Sequence, residues 1–224
     1  MAVVATTALA RDAHAQGAGS KRASSAAAKA SACPAIDTTA TWYVRQREWL
    51  DERTAKWTDD ALRTSLLGTS GIASASSGAL FGYEISGGAA PPVTSGDSTL
   101  IAKLKALAAE RGSTWPTRSV VGARGVLAVW ALAGRDTTLA RVALKRMMEA
   151  GPDESPPAAV AILEDRQRVR IGRKQIYGTQ LQRGANGALE PLPIEDEAHL
   201  VLRRDGAELP PLAQSVCAAQ RSMH

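Results

Sequence analysis

The stretch Asp165-Arg166-Gln167-Arg168-Val169-Arg170-Ile171-Gly172-Arg173-Lys174-Gln175-Ile176-Tyr177-Gly178-Thr179-Gln180 passes from a helical pattern to a strand pattern across one glycine. Ahead of Gly172, Ala158, Ile162, Asp165 and Val169 recur at i, i+4, i+7 and i+11, which places them on one face of a helix. After Gly172, Ile176, Tyr177, Thr179 and Leu181 run toward a turn at Gly184-Ala185-Asn186-Gly187, and Ala188-Leu189 return toward Pro191. This pattern predicts a helix over about 157–171 and a hairpin over about 175–190. The rest of the chain reads as helix, so the expected fold class is mainly α, with one small β-hairpin near the C-terminal third.

Working outward, residues 99–220 read as the compact helical domain that contains this hairpin. Asp97 or Ser98 is suited to cap a helix with an apolar face of Leu100, Ile101, Leu104, Leu107 and Ala108, ended by Gly112. Trp115-Pro116-Thr117 makes a rigid corner. From Ser119 to Ala133 the apolar residues run almost all round the helix, the mark of a central one. Asp136 caps a helix that stops at Gly151-Pro152, and Pro156-Pro157 opens the next. Glu195-Asp196-Glu197 at a helix start and Arg203-Arg204 at its end suit the macrodipole, with Gly206 as the stop. Pro210-Pro211 begins a last helix to about Gln220.

Toward the N-terminus, residues 38–67 read as helices. Trp42 and Trp49 share a face, and a break is expected at Thr58-Asp59-Asp60. Residues 68–98, rich in Gly, Ser, Ala and Pro, read as a long loop or linker. Residues 16–36 read as a flexible lead-in. Residues 1–15 resemble a signal-peptide remnant, with Ala13-His14-Ala15 as a small-x-small cleavage site; an Ala-rich tail is the alternative. Export makes the expected location extracytoplasmic, periplasmic or secreted. No stretch approaches the roughly 20 apolar residues of a membrane span.

The chain has 224 residues, 45% of them hydrophobic, and a formal charge of +5. That is enough for one substantial core, and the mild basicity selects no partner class. Cys33 and Cys217 are the only cysteines, so export would allow a single disulfide between them; two inert thiols are the alternative. Two distant Cys with His14, His199 and His224 make no metal site, and no cofactor motif is present.

The chemistry concentrates at Asp165 and Arg166, because helical phase puts a carboxylate in an apolar stripe with a guanidinium beside it. Such charges are costly on a packed face unless they are paired and hydrogen-bonded. In one reading Asp165 accepts backbone N–H groups of the hairpin, and Arg166 clamps carbonyls or Glu197. In the other, Asp165, Arg166 and Gln180 are catalytic candidates facing a cleft, with Arg166, Gln175, Tyr177 and Thr179 binding a ligand. Strand alternation separates Gln175, Tyr177 and Thr179 from Ile176, Gly178 and Gln180, so convergence requires a bulge, for which Gly178 is the natural place.

Other classes find little support. Arg166, Arg168, Arg170, Arg173 and Lys174 are basic but lack the interleaved aromatics of a nucleic-acid surface, so nucleic acid is not an expected partner. Glu164 and Asp165 point about 100° apart on a helix and cannot flank a glycosidic bond.

The pattern D-R-x5-G-x2-Q-x-Y-G-T-Q resembles the signature of a widespread bacterial family of unknown function. It is followed here by Pro193-Ile194-Glu195-Asp196, Arg203-Arg204 and Leu209-Pro210-Pro211-Leu212. The resemblance spans about residues 100–212 and also takes in Trp115-Pro116-Thr117, Gly122 and Asp136. Relatives resembling this chain often read Gln-His-Ala-Asp where it has Ala133-Gly134-Arg135-Asp136. The resemblance implies no activity. Three readings follow: a ligand- or partner-binding domain acting through the helix–hairpin junction, a hydrolase-like enzyme using Asp165 and Arg166 with Tyr177 and Gln180, or a structural or envelope interaction protein.

Overall fold

A central helix organises the chain. The computed structural model describes residues 33–52, 57–69, 82–86, 93–110 and 114–223. Among these lie eight α-helices: α1 (Thr41–Leu50), α2 (Asp60–Leu67), α3 (Ser95–Ala109), α4 (Arg118–Ala133), α5 (Thr137–Ala150), α6 (Pro157–Arg170), α7 (Leu200–Gly206) and α8 (Leu212–Arg221). Strands β1 (Glu84–Ile85), β2 (Gln180–Arg183) and β3 (Leu189–Pro191) form a small mixed sheet in the order β1-β2-β3. The fold is mainly α. The possible signal remnant at 1–15 and most of the lead-in at 16–36 lie outside the described residues.

Helix α4 is buried on every side, with Val121, Val126, Ala128, Val129, Leu132 and Ala133 fully inaccessible. Helices α2, α5 and α6 pack around it, contributing Leu66, Leu139, Met147, Ile162 and Leu163. Near its start Gly122 takes φ +74°, where a side chain is strained. A Cβ there would stand 2.7 Å from Glu52 Oε1, the oxygen that accepts the Arg124 N–H at 3.0 Å. Glu52 therefore satisfies a backbone donor of the first helical turn after Gly122, and its other oxygen pairs with Arg63 at 3.0 Å.

Several boundaries differ from those expected. Helix α3 starts at Ser95 because Thr94, not Asp97 or Ser98, is its N-cap. Asp97 completes the capping box by accepting the Thr94 N–H at 3.0 Å. It ends at Ala109, and Gly112 lies outside the described residues. The break at 58–60 is an Asp59 cap on Leu62 N at 2.8 Å. Within the segment expected to be a linker, Glu84–Ile85 pairs parallel with β2, and residues 95–98 are helical. The other large correction concerns 175–179. Gln175 makes only an isolated bridge to Ile194, and β2 begins at Gln180 because the N–H groups of Ile176, Tyr177 and Thr179 bond to the Asp165 side chain.

Cys33 and Cys217 form a disulfide with Cα atoms 5.7 Å apart. It ties the first described residue to α8, where Gln214 also donates to the Ala35 carbonyl at 3.0 Å. No helix among the described residues is long and apolar enough to cross a membrane.

Candidate functional site

Asp165 is fully buried on α6 and faces the turn 176–179, as its helical phase requires. Oδ1 accepts the N–H of Ile176 at 2.6 Å and of Tyr177 at 3.1 Å. Oδ2 accepts Thr179 N at 3.0 Å and Thr179 Oγ1 at 2.8 Å. A carboxylate offers about four lone-pair sites, and these contacts fill them. Gly178 adopts φ +70°, the left-handed bend that lets the chain turn its N–H groups inward around one carboxylate.

The carbonyls of the same turn are held from the other side. Arg203 Nε donates to Ile176 O at 2.9 Å, and Arg204 Nη1 donates to Tyr177 O at 2.6 Å. Arg204 also donates to Pro210 O at 2.6 and 2.8 Å and to Ser215 Oγ at 2.6 Å. Burial lowers its pKa to about 10, against the opposing pull of the Asp165 charge. Arg204 is thus a buried clamp, a role beyond the macrodipole pairing expected of it. Its position four residues after buried Leu200 carries the same signal of a charge on a packed face that Asp165 carries.

Gln175 closes the base of the turn. Its side-chain oxygen accepts Gln180 N at 2.8 Å, and its amide donates to Gln180 O at 3.1 Å and Leu192 O at 2.7 Å. Its backbone meanwhile bonds Pro193 O and receives the Glu195 N–H. Gln180 is buried, with its side-chain amide 3.4 Å from Ile162 O on α6. Asp165, Gln175, Thr179 and Gln180 therefore form one internal network in which side chains replace the missing sheet ladder.

Arg166 turns away from this network. It pairs with Glu84 on β1 at 2.6 Å, not with the Glu197 or carbonyl partner expected, because Glu84 is brought alongside by the parallel β1–β2 pairing. Its guanidinium lies 5.2 Å from the centroid of the Trp130 ring. Nη1 has no hydrogen-bond partner among the described residues, and Gly134 abuts it: a Cβ at 134 would stand 3.0 Å away. The neighbouring Arg135 pairs with buried Asp97 at 2.7 Å.

Of the residues predicted to bind a ligand, Tyr177 lines an open groove. Its walls, about 440 Å³ in volume, include Met147, Met148, Val160, Tyr177, Arg203 and Gly206. Ser155 also lines it, 1% exposed, with a hydroxyl that has no partner among the described residues. Tyr177 is half-buried, and its hydroxyl donates weakly to Glu164 at 3.4 Å. Burial, and then the Glu164 charge, pushes that hydroxyl up to about 12. Burial, followed by the Asp165 charge, holds Glu164 above the usual carboxylate range.

No family model, curated protein or solved structure matches this chain. The geometry alone carries the functional argument.

The groove residues Met147, Met148 and Ser155 were not legible as a site. Met147 reads as core, and Ser155 as part of a loop between two helices. Glu84 was hidden in a stretch whose composition suggests a linker.

Proposed function

We propose that this protein is an extracytoplasmic binding domain of the family whose D-R-x5-G-x2-Q-x-Y-G-T-Q signature it resembles. In this reading the signature is a brace that fixes the helix–hairpin junction, and the ligand occupies the groove beside Tyr177. The groove supplies the observation that carries the reading: an open, mostly apolar volume of about 440 Å³ with one buried, unpartnered hydroxyl at Ser155. Ligand sites are commonly apolar concavities with a few fixed polar groups, and a buried hydroxyl without a partner is costly until something bonds it. Methionine walls such as Met147 and Met148 adapt to varied apolar shapes. The cation of Arg203 is already engaged with Ile176, Glu195 and Asp196, so the ligand class is apolar and uncharged, with one hydrogen-bonding group for Ser155. The disulfide supports an oxidising location. The saturated pairing of Asp165 supports the brace over a hydrolase using that carboxylate.

The test uses N-phenyl-1-naphthylamine, a neutral apolar fluorophore. Saturable enhancement is expected with the wild-type chain, and Gly206→Trp should abolish it. Gly206 lines the groove and a Cβ there meets nothing within 4 Å, so the position accepts a side chain, and an unchanged melting temperature checks that the fold is kept. Equal enhancement in both proteins, or none in the wild type, would remove the groove as the site.

A further inference from the structure

The turn that ends α6 presents five consecutive exposed residues, Arg170-Ile171-Gly172-Arg173-Lys174. We propose that this tip docks the protein onto the surface of a bilayer containing anionic phospholipids, with the three cations on the phosphates and Ile171 between the headgroups.

Four observations carry the assignment. Ile171 is 67% exposed, although a large aliphatic side chain gains by leaving water. It is fixed in that position: the N–H groups of Ile171, Gly172 and Arg173 all return to carbonyls of the last helical turn, and Gly172 at φ +73° completes the stop. Arg173 and Lys174 have no ion pair among the described residues, whereas Arg170 spends one nitrogen on the Gly134 carbonyl at 2.9 Å. The tip contains no carboxylate, and the neighbouring Glu195 is occupied by Arg168. Its charge is therefore complementary to an anionic plane. An apolar residue in the middle of the cations suits a surface with an apolar layer beneath its charges, and a nucleic acid offers no such layer to Ile171.

The experiment is flotation of the full chain with vesicles of phosphatidylglycerol and phosphatidylcholine, compared with phosphatidylcholine alone. Binding is expected only to the anionic vesicles and should weaken at high salt. Each cation near such a surface contributes about five-fold in partitioning, so Arg173→Gln/Lys174→Gln should lose roughly 25-fold. Ile171→Ser should lose about ten-fold while keeping the salt dependence. Arg141→Gln/Lys145→Gln, the same charge change on exposed positions of α5, should lose far less. All four positions changed in charge are exposed, so unchanged melting temperatures confirm intact folds. Absence of wild-type flotation, an equal loss in the α5 variant, or Ile171→Ser binding like wild type would each overturn the proposal. So would binding to duplex DNA that matches or exceeds binding to the vesicles. Blocking the groove with Gly206→Trp should leave flotation unchanged, so the two readings fail separately.

Discussion

Asp165 and Arg204 grip Tyr177 through its two backbone groups: Asp165 accepts its N–H at 3.1 Å, and Arg204 donates to its carbonyl at 2.6 Å. A backbone segment without sheet partners is thereby satisfied by buried charges. Removing one member of such a network leaves several backbone groups bare. Asp165→Asn must point its amide donors at existing donors, on Oδ1 or on Oδ2, and should cost about 3–5 kcal/mol. Thr179→Val removes a single donor and should cost about 1–2 kcal/mol. Urea unfolding of the two variants gives both numbers. A loss under about 1 kcal/mol for Asp165→Asn would sink the brace reading.

The network shows what could be read from residue order and what could not. Helical phase alone put Asp165 on the packed face, and the strand tendency after Gly172 located the hairpin. Amino-acid order did not show that Ile176, Tyr177 and Thr179 would stay out of strand β2, because β-branched and aromatic residues favour strands whether or not a carboxylate competes for their N–H groups. The partner of Arg166 was equally hidden. Glu84 lies 82 residues away in a composition that reads as linker, and a two-residue strand leaves no periodicity to detect. Arg204 was within reach, since its spacing from Leu200 is that of Asp165 from its own stripe. The groove was not, because its walls come from α5, α6, α7 and the loop before α6.

Gly134 abuts Arg166 closely enough for a substitution there to test the contact. A Cβ there would stand 3.0 Å from Arg166 Nη1 and 3.1 Å from the Ala131 carbonyl. Gly134→His crowds the guanidinium that lies between Trp130 and Glu84, and should carry an overpacking cost of about 1–3 kcal/mol. Gly134→His in an Arg166→Ala background should cost less than in the wild type, and a double-mutant cycle by thermal or urea unfolding reads the difference. Additive costs would show that the two positions do not compete for the same space.

The Cys33–Cys217 bond closes a loop of sequence separation 184. Long loops lose much unfolded-state entropy when closed, so Cys33→Ser/Cys217→Ser should lower stability by about 2–5 kcal/mol. Alkylation followed by mass spectrometry should find both thiols blocked until a reductant is added. The melting temperature of the wild type in reductant should approach that of the double variant. Coincident melting with and without reductant, despite an intact bond, would show that contacts such as Gln214 to Ala35 already hold the segment.

Tyr177 makes one contribution to stability that is lost in alkali, opposite in sign to that of Arg204, whose pKa burial lowers to about 10. Its hydroxyl is pushed up to about 12 from 10.0, first by burial and then by Glu164. The folded state therefore holds this proton more tightly than the unfolded state does. The corresponding stabilisation is complete below pH 10 and is lost as pH rises through about 12. Wild-type unfolding free energy should fall across that window more steeply than that of Tyr177→Phe, which has no proton to lose. Phenolate absorbance should show Tyr177 ionising at the upper end of the window. If the wild type and Tyr177→Phe lose stability in parallel above pH 10, the phenol is not held by its surroundings, and its place at the wall of the groove must be more open than the contact with Glu164 implies.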